Sequence, residues 1–305
     1  MLTRGAYYKG MILAILLVFG IFATVTFAVL DIDMTKDGDL VAVLVISCLW
    51  GFGGSLISLF MSKFMVKKAM KVRVIEVPSS QDEIWLVDTV RALADKKGVG
   101  MPEVGIYNSR EMNAFATGWN RNNALVCVST GLFSSMSRDE CEAVLGHEMS
   151  HVANGDMVTS SLLQGLLNSF VYAFSTIFAL LIANTLTKGR DSRSTFMVYR
   201  LVYSFISSIF QVVFGVGATL ILMKFSRWRE FRADAGSAEA VGADKMIAAL
   251  EALRHGSASS QESDSEASSS IRALCISDTK KAFLSLFASH PPLNERIDAL
   301  RNLRH

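Results

Sequence analysis

The stretch SRDECEAVLGHEMSHVANGDM, residues 137–157, decides how the chain is read. Ser137 and Glu140 form an S-x-x-E capping box, so a helix is expected to start near Arg138 and to run through the residues that follow. On that helix His147 and His151 lie four apart and share one face, with Glu148 directly after the first. Two imidazoles at this spacing aim at one tetrahedral metal ion, and the glutamate then sits beside the water that the metal activates. At ordinary composition an H-E-x-x-H string arises by chance in roughly one in a hundred chains of this length. The competing reading is a pair of solvent-facing histidines, but the chain has only five histidines and two of them fall here.

A catalytic zinc site takes three protein ligands and leaves its fourth position to water. Asp156, Asp191, Glu230, Asp234 and Glu239 are the carboxylates available for the third place. Asp156 follows His151 too closely to point well at a metal on His147, and Asp191 falls in a loop between apolar stretches. Glu230 is better placed, because a membrane hairpin that begins after the motif must return to the same face just before residue 224. Glu230 and Asp234 are spaced i and i+4 and project from one helical face. Glu230 is read as the ligand and Asp234 as the acceptor for the free ring N–H of a ligand histidine. A surface ion network with Arg227, Arg229 and Arg232 is the alternative for this pair. With His147, His151 and Glu230 holding one zinc ion, Glu148 is the general base of an amide hydrolysis.

Composition places this site in a membrane protein. Of 305 residues 51% are hydrophobic and only 19% charged, too apolar for a soluble enzyme of this size. Four uncharged stretches are long enough to cross a bilayer: 11–30, 40–61, a segment within 157–187, and 201–223. The link DIDMTKDGD carries four aspartates and one lysine, whereas KFMVKKAMKVR, residues 63–73, has five basic residues in eleven. Positive residues stay inside, so the basic stretch and the N-terminus are assigned to the cytoplasm. The net charge of +2 gives no reason to expect nucleic acid. Cys48, Cys127, Cys141 and Cys275 are widely spaced, which excludes a disulfide framework and a thiolate zinc site.

The expected organisation is an α-helical membrane protein with four transmembrane helices and a cytoplasmic α+β, zincin-like part. Residues 1–62 form the first pair of spans, 63–156 the cytoplasmic part with the motif helix, 157–224 a transmembrane hairpin, and 225–305 a cytoplasmic helical part. Within 63–156 a helical repeat runs through Ile84, Val87, Val90, Leu93 and Ala94, and PEVGIYN, MNAFATG and NALVCVST read as strands. Helix is expected up to Arg254, then a serine-rich loop at 256–270, then an amphipathic stretch with SHPPLNERIDALRNL.

Five segments in this order, NAFATG, STGLF, DECEAVLGHEMSHVANGDM, REFRADAGSA and SHPPLNERI, resemble the HtpX-type membrane zinc metalloproteases, which are related to the CAAX prenyl endopeptidases. The resemblance covers essentially the whole chain. It implies an endopeptidase of the bacterial inner membrane that removes misfolded or damaged membrane proteins at the cytoplasmic face during stress. His147, His151 and Glu230 match the family's ligands and Glu148 its catalytic glutamate. Asn113 to Ala116 match a segment expected to pair with extended substrate, the alternative being a core strand with Phe115 buried, and His290 and Arg296 match a C-terminal pattern in which a cation could stabilise the oxyanion, the alternative being a pairing of Arg296 with a helix carboxylate. The partners implied are polypeptide substrates and the lipid bilayer. A membrane scaffold that holds zinc without hydrolysing anything is the other function class considered, and an intact Glu148 speaks against it.

Overall fold

The structure is a computed structural model that describes residues 39–187, 193–263 and 291–303. Its elements in chain order are α1 (Asp39–Ala69), β1 (Arg73–Val74), α2 (Gln81–Lys97), β2 (Glu103–Tyr107), β3 (Ala114–Asn120), β4 (Asn123–Ser129), α3 (Thr130–Ser135), α4 (Arg138–Asn154), α5 (Asp156–Thr187), α6 (Arg193–Val241), α7 (Ala243–Ser263) and α8 (Leu293–Asn302). Two compact units result. Of the described residues, one comprises those up to Ser58 with those of Ser161–Thr219, and the other comprises Leu59–Ser160 with those from Leu220 onward.

The first unit is built from the apolar lengths of α1, α5 and α6. Among the described residues three helices are long and apolar enough to cross a membrane, within Val41–Ala69, Asp156–Thr187 and Met197–Val241. The expected span at 11–30 lies outside the described residues. α1 and α5 approach closely where side chains are small: a Cβ on Gly51 would stand 2.2 Å from Ser169 Oγ, and one on Gly165 would stand 2.6 Å from Ser55 Oγ. α5 meets α6 through aromatic rings, with Phe178 stacked on Phe210 at 5.1 Å. Leu181, Leu201, Phe205 and Val212 on the outside are each more than half exposed. Such a surface is a liability in water and suits hydrocarbon.

The second unit packs α4 at its centre. A four-stranded mixed sheet in the order β1-β2-β4-β3 pairs β2 with β4 in parallel and β3 with β4 antiparallel, leaving β3 at an edge. On one face of the sheet Val104, Val126 and Val128 meet Leu86, Val90 and Leu93 of α2 and Leu145, Met149 and Val152 of α4. A second core joins Cys141 and Val144 of α4 to Met246 and Leu250 of α7 and to Ile297 and Leu300 of α8. α4 is therefore covered on most sides, which is why AVLG before the first histidine carries no polar face. Burial in the second core pushes the Cys141 thiol up to about 11, and burial beside Tyr107 and Leu125 pushes that of Cys127 to about 12, so both behave as apolar packing residues.

Local signals agree with the elements. The capping box at Ser137 and Glu140 is formed, with Ser137 Oγ accepting from Glu140 N–H and the Glu140 carboxylate accepting from Ser137 N–H. Gly155, at φ 69, ends α4 in the left-handed conformation that glycine adopts most readily. The three expected strands are β2, β3 and β4, and the helical repeat at 84–94 lies in α2. Three features differ. Helix α6 runs unbroken from the apolar stretch to Val241, α7 continues to Ser263 instead of stopping at Arg254, and the short strand β1 and helix α3 had no sequence expectation. The remainder of the serine-rich segment, from residue 264, lies outside the described residues.

Candidate metal centre

The site is assembled where α4 crosses α6. Small residues let the two backbones meet: a Cβ on Gly146 would stand 2.8 Å from Ser237 Oγ, and one on Gly236 would stand 2.7 Å from Ser150 Oγ. Ser237 Oγ donates to the Ala143 carbonyl at 2.7 Å, so the crossing also satisfies its own buried hydroxyl. One to two turns before this contact, Glu230 of α6 faces the two histidines of α4.

His147 Nε2 and His151 Nε2 are 3.1 Å apart. Glu230 Oε2 lies 3.6 Å from His147 Nε2, and Glu230 Oε1 lies 3.4 Å from His151 Nε2. Ligands at about 2.0–2.1 Å on a tetrahedral zinc ion are separated by about 3.3–3.4 Å, the edge of that tetrahedron. The three residues therefore fit one such ion, and they form a group able to hold a metal.

The far side of each ring supports the same conclusion. His147 Nδ1 lies 2.8 Å from Asp234 Oδ1, and His151 Nδ1 lies 2.6 Å from Asp156 Oδ2. A carboxylate on Nδ1 holds the proton there and leaves Nε2 as a lone pair. Two such lone pairs facing each other repel unless a cation stands between them. Burial lowers the basicity of both rings, but the carboxylates outweigh it: Asp234 and Glu230 raise His147, and Asp156 and Glu230 raise His151 to about 9. A field that favours a proton on these nitrogens also favours a divalent cation.

Glu148 projects beside this group. Burial pushes its carboxyl up, His147 and His151 pull against that, and the backbone N–H of Ala116 in β3 draws it down as well. Arg296 reaches in from α8. Its Nε and Nη2 donate to the two oxygens of Asp234 at 2.7 and 2.6 Å, and its Nη1 is 3.4 Å from Glu230 Oε2. Of the two pairings open for Arg296, the guanidinium is thus directed at helix carboxylates, Asp234 and Glu230. Asn113 is exposed, and its backbone is tied to Ser129 at the start of β3. Ala116 of the same segment is the residue that reaches the site. His290 lies outside the described residues.

Asp156 is the residue that sequence reasoning passed over. The sequence disfavours it as a metal ligand, whereas the tight turn at Gly155 swings it back onto the outer nitrogen of His151. Its signal was legible as an acidic residue just beyond a helix-ending glycine after the motif.

The chain can be compared with known proteins on this basis. The model of peptidase family M48 matches residues 80–304. Proteins named protease HtpX are similar over nearly their full length. That of Tolumonas auensis is 50% identical over 292 residues, 96% of this chain and 96% of that protein. That of Xanthomonas campestris pv. campestris is 50% identical, covering 92% of each, and that of Pectobacterium carotovorum 46%, covering 95% and 94%. Among solved structures, the crystal structure of S. mikatae Ste24p is similar in fold, with a TM-score of 0.60 at 18% identity, covering 98% of this chain and 66% of that one. A scaffold without hydrolytic activity is not favoured by these relatives. The chain belongs to peptidase family M48 and is a membrane metalloprotease.

Proposed function

We propose that His147, His151 and Glu230 hold one zinc ion and that Glu148 is the general base of peptide-bond hydrolysis at that site. The observation that carries this reading is the convergence of the two imidazole Nε2 atoms, 3.1 Å apart, with the two oxygens of Glu230, one at 3.6 Å from His147 and the other at 3.4 Å from His151. When bound, zinc supplies a Lewis acid that polarises the scissile carbonyl and acidifies a water. Glu148 takes the proton of that water as its oxygen adds to the carbonyl carbon. It then gives the proton to the departing amine as the C–N bond breaks. A carboxyl raised by burial is suited to both tasks, since it holds and releases a proton closer to neutrality. Asp234 and Asp156 orient the two imidazoles, and Arg296 is a positioning residue that balances Asp234 and Glu230.

The substrates are polypeptides, read as misfolded or damaged membrane proteins cleaved at the cytoplasmic face of a bacterial inner membrane. Five basic residues in 63–73, after an apolar stretch, support this orientation. Pairing of β4 with β3 through Asn113 and Ser129 leaves the main chain of Ala114 and Ala116 on the open edge of β3, with the Ala116 N–H toward Glu148. An extended substrate can lie along this edge by main-chain hydrogen bonds. The test is Glu148→Gln in the full-length protein. Peptide hydrolysis should fall by about 10²–10⁴-fold while one metal ion per chain is retained. Unchanged hydrolysis would remove Glu148 from the reaction.

A further inference from the structure

The hairpin of β3 and β4 ends in a tip that the metal centre does not use. Strand pairing runs regularly to Gly118 opposite Ala124 and then slips, because Asn120 pairs with Asn123. Trp119 is the extra residue, and such a bulge turns one side chain away from the ladder. Gly118 permits this at φ 150, where a Cβ would stand 2.4 Å from the Asn123 carbonyl oxygen. The re-aimed indole lies against Phe60 of α1 with ring centroids 5.8 Å apart, yet Trp119 is still 37% exposed and Phe60 56%. A bulge that delivers a tryptophan to an open apolar surface needs a partner for that surface.

Three neighbours fix what the partner is. Phe60 stands at the end of the uncharged run 40–61, and one turn later Lys63 donates to Asn123 Oδ1 at 2.6 Å and to Glu103 Oε1 at 3.0 Å. On its other side the tip meets Gly155, where a Cβ would stand 3.3 Å from Arg121 Nε, and the next residue begins α5, a second candidate span. The tip therefore packs beside Phe60 and Lys63 of α1, where the uncharged run ends, and beside Gly155, which directly precedes α5. Its own composition, GWNRNN at 118–123, contains one exposed charge, Arg121, and that charge is positive. Tryptophan and arginine beside the end of an apolar span are residues of a bilayer interface, where the indole places its apolar body among acyl chains and its N–H among headgroups.

We propose that the tip of the β3–β4 hairpin, led by Trp119 beside Phe60, is seated in the headgroup layer of the membrane. This contact is additional to the spanning helices. It has a consequence for the site, which rests on the catalytic reading given above. Ala116, whose N–H reaches Glu148, is three residues before Trp119 on the same strand, so about 10 Å of strand separates the catalytic carboxylate from the bilayer surface. A substrate laid along β3 is then drawn from the headgroup layer itself.

The test uses the full-length protein in phospholipid nanodiscs, with Trp50, Trp85 and Trp228 replaced by phenylalanine so that only Trp119 emits. Lipids brominated at the top of the acyl chain should quench it roughly twofold, as an interfacial indole requires, and lipids brominated deep in the chain should quench it less. If Trp85→Phe impairs folding, Trp85 is kept, and the signal is the difference between that protein and the same protein with Trp119→Phe. Absence of quenching at both depths, or stronger quenching by the deep bromines, overturns the proposal. Hydrolysis is not measured, so a failed role for Glu148 would leave this result untouched.

Discussion

Replacing Arg296 by methionine probes the centre from its outermost residue. Asp234 is 1% exposed and Arg296 7%, so the substitution keeps most of the volume and strips the counter-charge from a carboxylate that water does not reach. Breaking one partner of a buried pair costs about 3–5 kcal/mol, most of it from the stranded charge. Arg296→Met should therefore lower unfolding stability by that amount and loosen α8 from the centre. Combining it with Asp234→Asn removes the stranded charge, and the amide oxygen can still accept from His147 Nδ1. The double variant should recover part of the loss, with a coupling energy of about 1–3 kcal/mol. The assay is equilibrium unfolding of the metal-loaded, full-length protein in mild detergent for all four members of the cycle. Chelator competition on the same samples should show metal binding weakened about 10–100-fold in each single variant. Single effects that add to within about 0.5 kcal/mol would refute the pairing, as would an Arg296→Met protein that unfolds at the parental midpoint.

Two other residues give independent checks. Asp156→Asn should weaken metal binding by about 10–100-fold with the fold intact, since it removes only the carboxylate that orients His151; parental affinity by chelator competition would contradict this. Glu83 accepts from Ser79 N–H, from Arg73 and from Ser79 Oγ, which hold its carboxyl down from 4.5 to about 2. A depressed carboxylate stabilises the fold above its unfolded value, and this contribution fades as pH falls. Glu83→Gln should thus be less stable than the parent at neutral pH, with the difference shrinking below about pH 4.5 and gone near pH 2; a difference that is constant over this range in thermal unfolding would count against the clamp.

What could be read in advance was local. The start of the helix at Arg138 follows from one capping box, and the strands follow from short β-prone runs separated by Asn, Gly and Arg. His147, Glu148 and His151 needed only helical periodicity to share a face, and the apolar runs needed only their length. Glu230 was reachable by a longer inference, because a hairpin through the membrane must return its far end to the face it left.

The tertiary structure decided everything that depends on which backbones approach. That α4 and α6 meet at Gly146, Ser150, Gly236 and Ser237 is a property of their crossing, and no spacing within either helix states it. The same crossing sets His147 Nδ1 against Asp234, and the packing of α8 brings Arg296, which the sequence left open between an oxyanion and a helix carboxylate, onto Asp234. Asp156 shows the limit most clearly. Its spacing from His151 argued against a role, and only the reversal of the chain at Gly155 brings the carboxylate back to the ring. Periodicity describes residues along one rigid element, whereas a metal centre depends on distances across elements, and those are set by packing.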